Sequence, residues 1–384
     1  GTLRLIGVGQ GTEATSAKSE FRGGDILFGK LRPYFRKVVR PRFDGVCSTD
    51  IWVVRAADGI DQGFLYYWMA SEEFVDAATR GSKGTKMPRA DWDFVGRLTL
   101  PVPSLPTQRR IASILGSLDD KIEINRRMNR TLERMAQALF KSWFIDYGPV
   151  RAKAAGDPTA GGLPDHLAAL FPDRLVDSEL GEIPEGWEVG KLADVADNPR
   201  RTVQPSEVPP ATPYIGLQHM PRRCIALDAW GRADEVGSGK SRFREGEILF
   251  GKLRPYFHKV GIAPLDGVCS TDILVVVPKA AAWHGYVLSL VSSKPFVDYT
   301  DSHSAGTKMP RTNWKDMGRY RLALPPASLA QAFQDQVAAH HQRIGVAVRQ
   351  NRRLAGLRDT LLPKLLSGEL EVPEAEVAVE EVAK

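Results

Sequence analysis

The chain has 384 residues, which is too long for one ordinary domain of about 100 to 200 residues, so two or more domains are expected. With 43% hydrophobic residues and a net charge of +6, the sequence is not that of a disordered polyelectrolyte. Three scattered cysteines exclude a disulfide framework, and no apolar run approaches the roughly 18 residues that a membrane span needs. We therefore expect a cytoplasmic protein with no membrane segment.

An internal repeat organises the chain. Three segments of the first half return in the second at a constant separation of 222 positions: Gly24–Val38 as Gly246–Val260, Asp44–Ile51 as Asp266–Ile273, and Gly84–Arg89 as Gly306–Arg311. This unit is much longer than a solenoid repeat of about 20 to 50 residues. The pattern therefore predicts a tandem duplication of a whole module.

The two copies differ in how much sequence precedes the repeat. The second copy is preceded by Gly181–Trp187 and a run that continues through Arg222, whereas Gly1 already corresponds to Arg223. We therefore expect the first module to be shortened at its N-terminus.

Each copy begins with strand patterns. Short apolar runs bounded by Gly, Pro and Asp, such as Asp25–Phe28, Val46–Val54 and Ile273–Val277, are typical of strands joined by turns. The first part of each copy is therefore predicted to be a strand-rich globular module.

Each copy then continues into a long helix of about 40 residues, which would extend roughly 60 Å. The apolar residues follow a heptad, and Asn129 of the first helix matches Asn351 of the second. The residues predicted to pair the helices are Leu115, Leu118, Ile122, Asn129, Leu132, Leu139, Val337, Ile344, Asn351, Leu354 and Leu361. An antiparallel pair is favoured; the alternative is that each helix packs on its own module.

The predicted fold class is α+β, with two strand-rich modules in tandem, each followed by a long helix, and the two helices paired as an antiparallel coiled coil. The predicted boundaries are 1–103 for the incomplete first module, 104–146 for the first helix, 147–178 for a linker, 179–325 for the second module, 326–368 for the second helix, and 369–384 for a flexible acidic tail.

Signatures of catalysis are weak in this sequence. Gly237–Ser241 resembles the end of a phosphate-binding loop, but Asp234 stands where the first glycine belongs. Cys47 and Cys269 lie in apolar strand patterns that favour burial. The neighbours His340 and His341 point in different directions on a helix and cannot share a metal. No catalytic residue and no metal site are predicted.

The repeated segments are instead basic and aromatic, a composition that suits phosphate contacts and base stacking. The predicted DNA-binding residues are Lys30, Arg32, Tyr34, Lys37, Thr85, Lys86 and Arg89 in the first copy, and Lys240, Arg242, Lys252, Arg254, Tyr256, His258, Lys259, Thr307, Lys308 and Arg311 in the second. For Arg32 and Arg254 the alternative is a structural ion pair with Asp50 and Asp272.

These segments, together with Pro103–Gln108, Phe140–Asp146 and Ser178–Trp187, resemble the specificity subunits of type I restriction-modification systems. The resemblance implies that each module is a target recognition domain reading half of a bipartite double-stranded DNA target. It implies that the helices are an antiparallel spacer that docks two modification (methyltransferase) subunits, with two restriction subunits able to join. No cofactor is expected on this chain; S-adenosylmethionine, ATP and Mg are expected on the partner subunits.

Base recognition is expected where the copies differ, as in Arg222–Gly239, and the helices are expected to set the spacing between half-sites. Two other functions stay open. A free-standing DNA-binding regulator would need no enzyme partner, and a protein-only coiled-coil adaptor would have no affinity for DNA.

Overall fold

The computed structural model describes residues 9–10, 16–99, 102–235 and 237–383, so residues 1–8, 11–15 and 100–101 of the predicted first module lie outside the described residues. The chain divides into two compact units. Unit 1 comprises Gly1–Ile122 with Arg353–Lys384, and unit 2 comprises Glu123–Arg352. Each unit therefore contains one module and a part of both long helices.

The module of unit 1 consists of short strands followed by short helices. Its described elements are β1 (Lys18–Phe21), β2 (Ile26–Gly29), β3 (Val38–Val39), β4 (Gly45–Ser48), β5 (Ile51–Val54), α1 (Gln62–Ala70), α2 (Glu72–Arg80) and α3 (Trp92–Val95), before the long helix α4 (Leu105–Phe140). Strand β2 lies between β3 and β5, and β1 pairs with β4. All these pairings are antiparallel.

Helix caps and apolar burial explain the arrangement of this module. Asp61 accepts hydrogen bonds from Gly63 and Phe64 at the start of α1, and Ser71 caps α2 through the amide of Phe74. Ile26 and Phe28 of β2 are fully buried, in one cluster with residues of both helices.

Unit 2 carries a larger set of strands. They are β6 (Leu175–Ser178), β7 (Gly181–Pro184), β8 (Glu188–Lys191), β9 (Ala196–Asp197), β10 (Thr202–Val203), β11 (Pro213–Ile215), β12 (Gly231–Arg232), β13 (Lys240–Phe243), β14 (Ile248–Gly251), β15 (Val260–Ile262), β16 (Gly267–Ser270), β17 (Ile273–Pro278) and β18 (Arg321–Leu324). The two larger sheets have the orders β10-β13-β16-β11-β12 and β15-β14-β17-β9. Strand β11 is parallel to β16, whereas β13 is antiparallel to it.

The remaining helices complete the chain. They are α5 (Gly148–Ala154), α6 (Asp165–Ala168), α7 (Leu192–Val195), α8 (His284–Val291), α9 (Lys294–Ser302), α10 (Trp314–Met317), the long α11 (Ala327–Ser367) and α12 (Val372–Ala383). Helix α4 is followed directly by a π-helical turn over Lys141–Ile145.

In unit 2 the long helices run antiparallel. Asn125 of α4 bonds Asn351 of α11, and farther along α4 the ring of Phe140 meets that of Phe333, which lies earlier in α11. Trp143 and Phe144 continue the aromatic cluster, and both are buried. The apolar seam therefore ends in a core of large rings.

In unit 1 the seam is aliphatic. Ile111, Leu115, Leu118 and Ile122 of α4 are buried in one cluster with Leu354, Leu361 and Leu365 of α11. Phe64 and Tyr67 of α1 belong to the same cluster, so α4 also packs on its own module. The α+β fold class with paired antiparallel helices is confirmed, and the alternative of packing on the module holds alongside it.

The last segment of the chain differs from the expected flexible tail over 369–384. Residues Val372–Ala383 form a helix, because Val372, Ala375 and Val379 recur at helical spacing and pack into the aliphatic cluster of unit 1. Glu376 also pairs with Arg110 of α4 at 2.8 Å. The acidic composition concealed this apolar face, and the prediction of a flexible tail was wrong.

The segment predicted as a linker is also packed. Helices α5 and α6 lie within it, and Val150, Leu167 and Phe171 are buried in the main core of unit 2. The Pro and Gly residues of this segment thus shape turns between short helices rather than a loose connection.

Candidate nucleic-acid interface

In unit 1, two repeated segments that are distant in sequence form one surface. The amide of Arg32 donates to the carbonyl of Pro88 at 2.7 Å, and Leu31 pairs with Arg89 in an antiparallel bridge. This joins the turn at 30–37 to the loop at 84–89, and we call the result the turn-loop surface.

Unit 2 contains a second turn-loop surface, built from 252–259 and 306–311. The amide of Arg254 donates to the carbonyl of Pro310 at 2.7 Å, and Leu253 pairs with Arg311. The corresponding bonds and lengths match those of unit 1. The repeated segments therefore encode a single structural element that the chain contains twice.

Both turns contain an arginine in a strained backbone conformation. Arg32 and Arg254 each have φ of 51°, in the left-handed region, where a residue other than glycine is disfavoured by about 1 to 2 kcal/mol. Each precedes a proline that starts a short 3-10 turn, Pro33–Phe35 or Pro255–Phe257. The guanidinium of Arg32 reaches the carbonyl of Lys86 at 3.4 Å, and that of Arg254 reaches Lys308 at 3.3 Å. Each guanidinium therefore bonds the backbone of its neighbouring loop.

The ion pairs with Asp50 and Asp272 are formed by Arg89 and Arg311, not by Arg32 and Arg254. Arg89 pairs with Asp50 at 2.9 Å, and Arg311 pairs with Asp272 at 3.1 Å. The hydrogen bond from Arg89 lowers the pKa of the Asp50 carboxyl. The pairing of Arg32 and Arg254 with these aspartates, weighed as an alternative, does not form.

Several predicted DNA-binding side chains are exposed on the two surfaces. Tyr34 is 48% exposed and Tyr256 is 49% exposed, and each ring lies 4.7 Å from that of the following phenylalanine. Thr85 and Lys86 in unit 1, and Thr307 and Lys308 in unit 2, are also exposed. An exposed ring can stack on a base, and an exposed lysine can neutralise a phosphate.

Other predicted DNA-binding residues point into the fold. Lys37 donates to the carbonyl of Leu31 and Lys259 to that of Leu217, both at 2.5 Å, and burial lowers the pKa of both lysines. Lys240 is buried and bonds Ser238, and burial lowers its pKa as well. These three lysines therefore bond groups inside the fold and are not presented to DNA.

The remaining predicted residues are intermediate cases. His258 lies with its Nε2 2.8 Å from the carbonyl of Ser292, and burial lowers its pKa. Lys30 and Lys252 are half-buried. Arg242 is exposed and donates to the carbonyl of Glu207 at 3.1 Å.

The segment Arg222–Gly239, expected to read bases, is partly buried. Ile225, Ala226 and Leu227 are buried against other parts of unit 2. Burial raises the pKa of the Cys224 thiol to about 12, which makes it a poor nucleophile. In the described part of this segment, 222–235 and 237–239, the apolar centre is thus unavailable for base contacts.

Among the described residues, no group of three His, Cys, Asp or Glu side chains is arranged to hold a metal ion. Within the same residues, no helix combines the length and apolar character required to cross a membrane. Burial raises the pKa of Cys269 to about 12, so this cysteine behaves as a small core residue.

Comparison with known proteins finds similarity to type I restriction specificity subunits. Residues 5–134 match the family model described as type I restriction modification DNA specificity domain. The chain is 26% identical to the type I restriction enzyme HindI specificity subunit of Haemophilus influenzae, over 92% of this chain and 88% of that protein. It is 25% identical to the MjaIX specificity subunit of Methanocaldococcus jannaschii, over 83% of this chain and 71% of that protein.

One shorter match and two solved structures are also similar to this chain. The EcoDI specificity subunit of Escherichia coli is 34% identical, over 32% of this chain and 27% of that protein. The HsdS subunit from Thermoanaerobacter tengcongensis aligns at 20% identity and a TM-score of 0.30, over 91% of this chain and 82% of that one. The S subunit from M. genitalium aligns at 14% identity and a TM-score of 0.46, over 91% and 84%.

Proposed function

The chain belongs to the family of type I restriction-modification specificity subunits, and from this premise we propose that its two modules read the two halves of a bipartite double-stranded DNA target. The observation that supports this reading is the duplicated turn-loop surface, with the same bonds around Arg32 and Arg254. Two equivalent basic surfaces on one chain suit two half-sites on one duplex.

The turn-loop surfaces are proposed to contact the DNA backbone. Lys86 and Lys308 are exposed and stand at equivalent positions, as do Tyr34 and Tyr256. Nearly identical surfaces cannot distinguish two different base sequences, whereas the phosphate backbone is the same at every site. Base recognition is therefore assigned to exposed segments outside the repeated elements.

The long helices are proposed to fix the number of unread base pairs between the half-sites. A helix rises 1.5 Å per residue and resists compression, so a paired helix of fixed length provides a fixed separation. Helices α4 and α11 have 36 and 41 residues, and both continue through the seam described above.

Catalysis is assigned to partner subunits. We propose that two methyltransferase subunits, which bring S-adenosylmethionine, dock on this chain, and that two restriction subunits with ATP and Mg can join them. The assembly would act in the cytoplasm, where the subunits meet the chromosome.

Co-expression with a type I methyltransferase subunit tests this proposal. The expected result is a stable complex that methylates one bipartite motif, detected by mapping modified bases across the genome. DNA affinity without a methyltransferase partner would instead favour a free-standing regulator. A chain that bound no DNA under any salt condition would indicate a protein-only adaptor.

A further inference from the structure

A short segment of unit 2 contacts both the module and the long helices. Cys224–Trp230, which we call the anchor segment, crosses from the module to α4 and α11. On the module side, Ala226 pairs with Ile262 of β15, and the carbonyl of Ile225 accepts a hydrogen bond from the amide of Ile262. Leu227 is 1% exposed and packs with the module core that includes Leu249 of β14.

On the helix side, one carboxylate of α4 holds the backbone of the anchor segment. Glu133 accepts hydrogen bonds from the amides of Ile225 at 3.1 Å and Ala226 at 3.3 Å, and from the thiol of Cys224 at 3.4 Å. Burial raises the pKa of Glu133, and the three donors favour its charged form. All three donors belong to the anchor segment, so this half-buried carboxylate holds that segment on α4.

Two arginines complete the attachment, one from each long helix. Arg126 of α4 pairs with Asp228 at 3.2 Å, and both side chains are largely buried. Arg352 of α11 lies 3.9 Å above the ring of Trp230, a close cation–π contact. Because α4 and α11 both contribute, the anchor segment is fixed to the helix pair rather than to one helix.

We propose that Glu133 is a positioning residue for DNA specificity, which fixes the orientation of the second recognition module on the spacer helices through the anchor segment. This inference rests on the proposed function, in which the helices determine the gap between half-sites. A module that could tilt on the helices would accept targets with neighbouring gap lengths. The anchor segment therefore determines how strictly the gap is read, without contact to any base.

The test measures binding to DNA targets whose gap differs by one base pair in either direction. The chain is used in complex with its methyltransferase subunits. Glu133→Ala is expected to reduce the preference for the correct gap by about tenfold, because a small misplacement of a bound group has large effects on recognition. The bases read in each half-site should stay the same.

Glu133→Gln is the conservative variant, since its amide oxygen can still accept from the backbone amides. It is expected to retain most of the gap preference. Glu123→Ala is the matched control, because Glu123 lies on the same helix and bonds only the exposed Arg127 and Arg130 in the described structure. This control should bind as the original chain does.

An unchanged gap preference in a folded Glu133→Ala variant would overturn the inference. If that variant fails to fold, Arg352→Gln takes its place, because it removes the contact on Trp230 and leaves the hydrogen bonds of Glu133 in place. An unchanged gap preference in Arg352→Gln would likewise overturn the inference. Failure of the proposed function is distinguishable, since the original chain itself would then show no preference for one gap.

Discussion

Lys86 and Lys308 carry the exposed positive charge at equivalent places on the two turn-loop surfaces. The neighbouring arginines have other partners: Arg89 and Arg311 pair with aspartates, and Arg32 donates to the carbonyl of Lys86. The composition of the repeat indicated a basic surface, but not which cations are free. Side-chain direction depends on the left-handed turn at Arg32, and residue types alone do not reveal that turn.

Replacing both exposed lysines, in a Lys86→Gln and Lys308→Gln double variant, should weaken DNA binding equally for correct and altered target sequences. Each lost phosphate contact reduces the slope of log affinity against log salt concentration by about 0.9, so a reduction of about 2 is expected. A salt titration of the binding constant measures this slope. Lys191→Gln, an exposed lysine on β8, is the control. An unchanged slope in the double variant would contradict the assignment.

His341 is a second residue with a measurable consequence. Burial lowers its pKa to about 4, and the neighbouring His284 and His340 lower it further. The unfolded chain takes up a proton near pH 6.5, while the folded chain resists it. Stability is therefore complete above pH 6.5 and is lost as the pH falls toward 4.

Between pH 7.5 and pH 5 the chain should lose about 2 kcal/mol of unfolding free energy through His341. His341→Gln should remove most of this dependence, whereas His166→Gln, at an exposed position, should preserve it. Denaturant unfolding at the two pH values provides the measurement. Equal pH dependence in the His341 variant and the original chain would be inconsistent with a buried neutral imidazole.

At the scale of elements, the long helices were the most predictable part of the molecule because their heptads are a local pattern. Helix α12 was missed, since its glutamates hid an apolar row of Val372, Ala375 and Val379. The anchor segment was assigned to base reading because it lies outside the strictly repeated elements. Its backbone bonds Glu133, which lies about 90 positions earlier in the chain, so no local sequence pattern predicts this contact.

A polar layer interrupts the seam of the paired helices in unit 2. Asn125 donates to Asn351 at 2.9 Å, both residues are 3% exposed, and Nδ2 of Asn351 has no hydrogen-bond partner. A buried asparagine in a seam favours one register at a cost in stability. A slip of one heptad would place Asn125 opposite Ile344 and would break the hydrogen bond between the two asparagines.

The single variant Asn125→Leu should destabilise the chain by about 1 to 3 kcal/mol, because Asn351 then lies buried without its partner. The double variant Asn125→Leu with Asn351→Leu should recover this loss or exceed the original stability, since two apolar side chains suit the seam. Thermal unfolding of the three chains measures the order. A double variant less stable than the single one would exclude this account of the layer.

At the scale of the whole molecule, the central claim is that duplicated modules read two half-sites at a separation that the helices determine. Inserting one heptad into both long helices, after Glu123 in α4 and before Arg353 in α11, keeps the seam in phase, leaves the contacts of the anchor segment intact and lengthens each helix by about 10 Å. This length corresponds to about three base pairs at 3.4 Å each.

Mapping methylated sites in cells that carry the insertion variant and its methyltransferase partner measures the outcome directly. The account predicts a gap longer by about three base pairs, with the same bases read in both half-sites. An unchanged gap in an active insertion variant would contradict it.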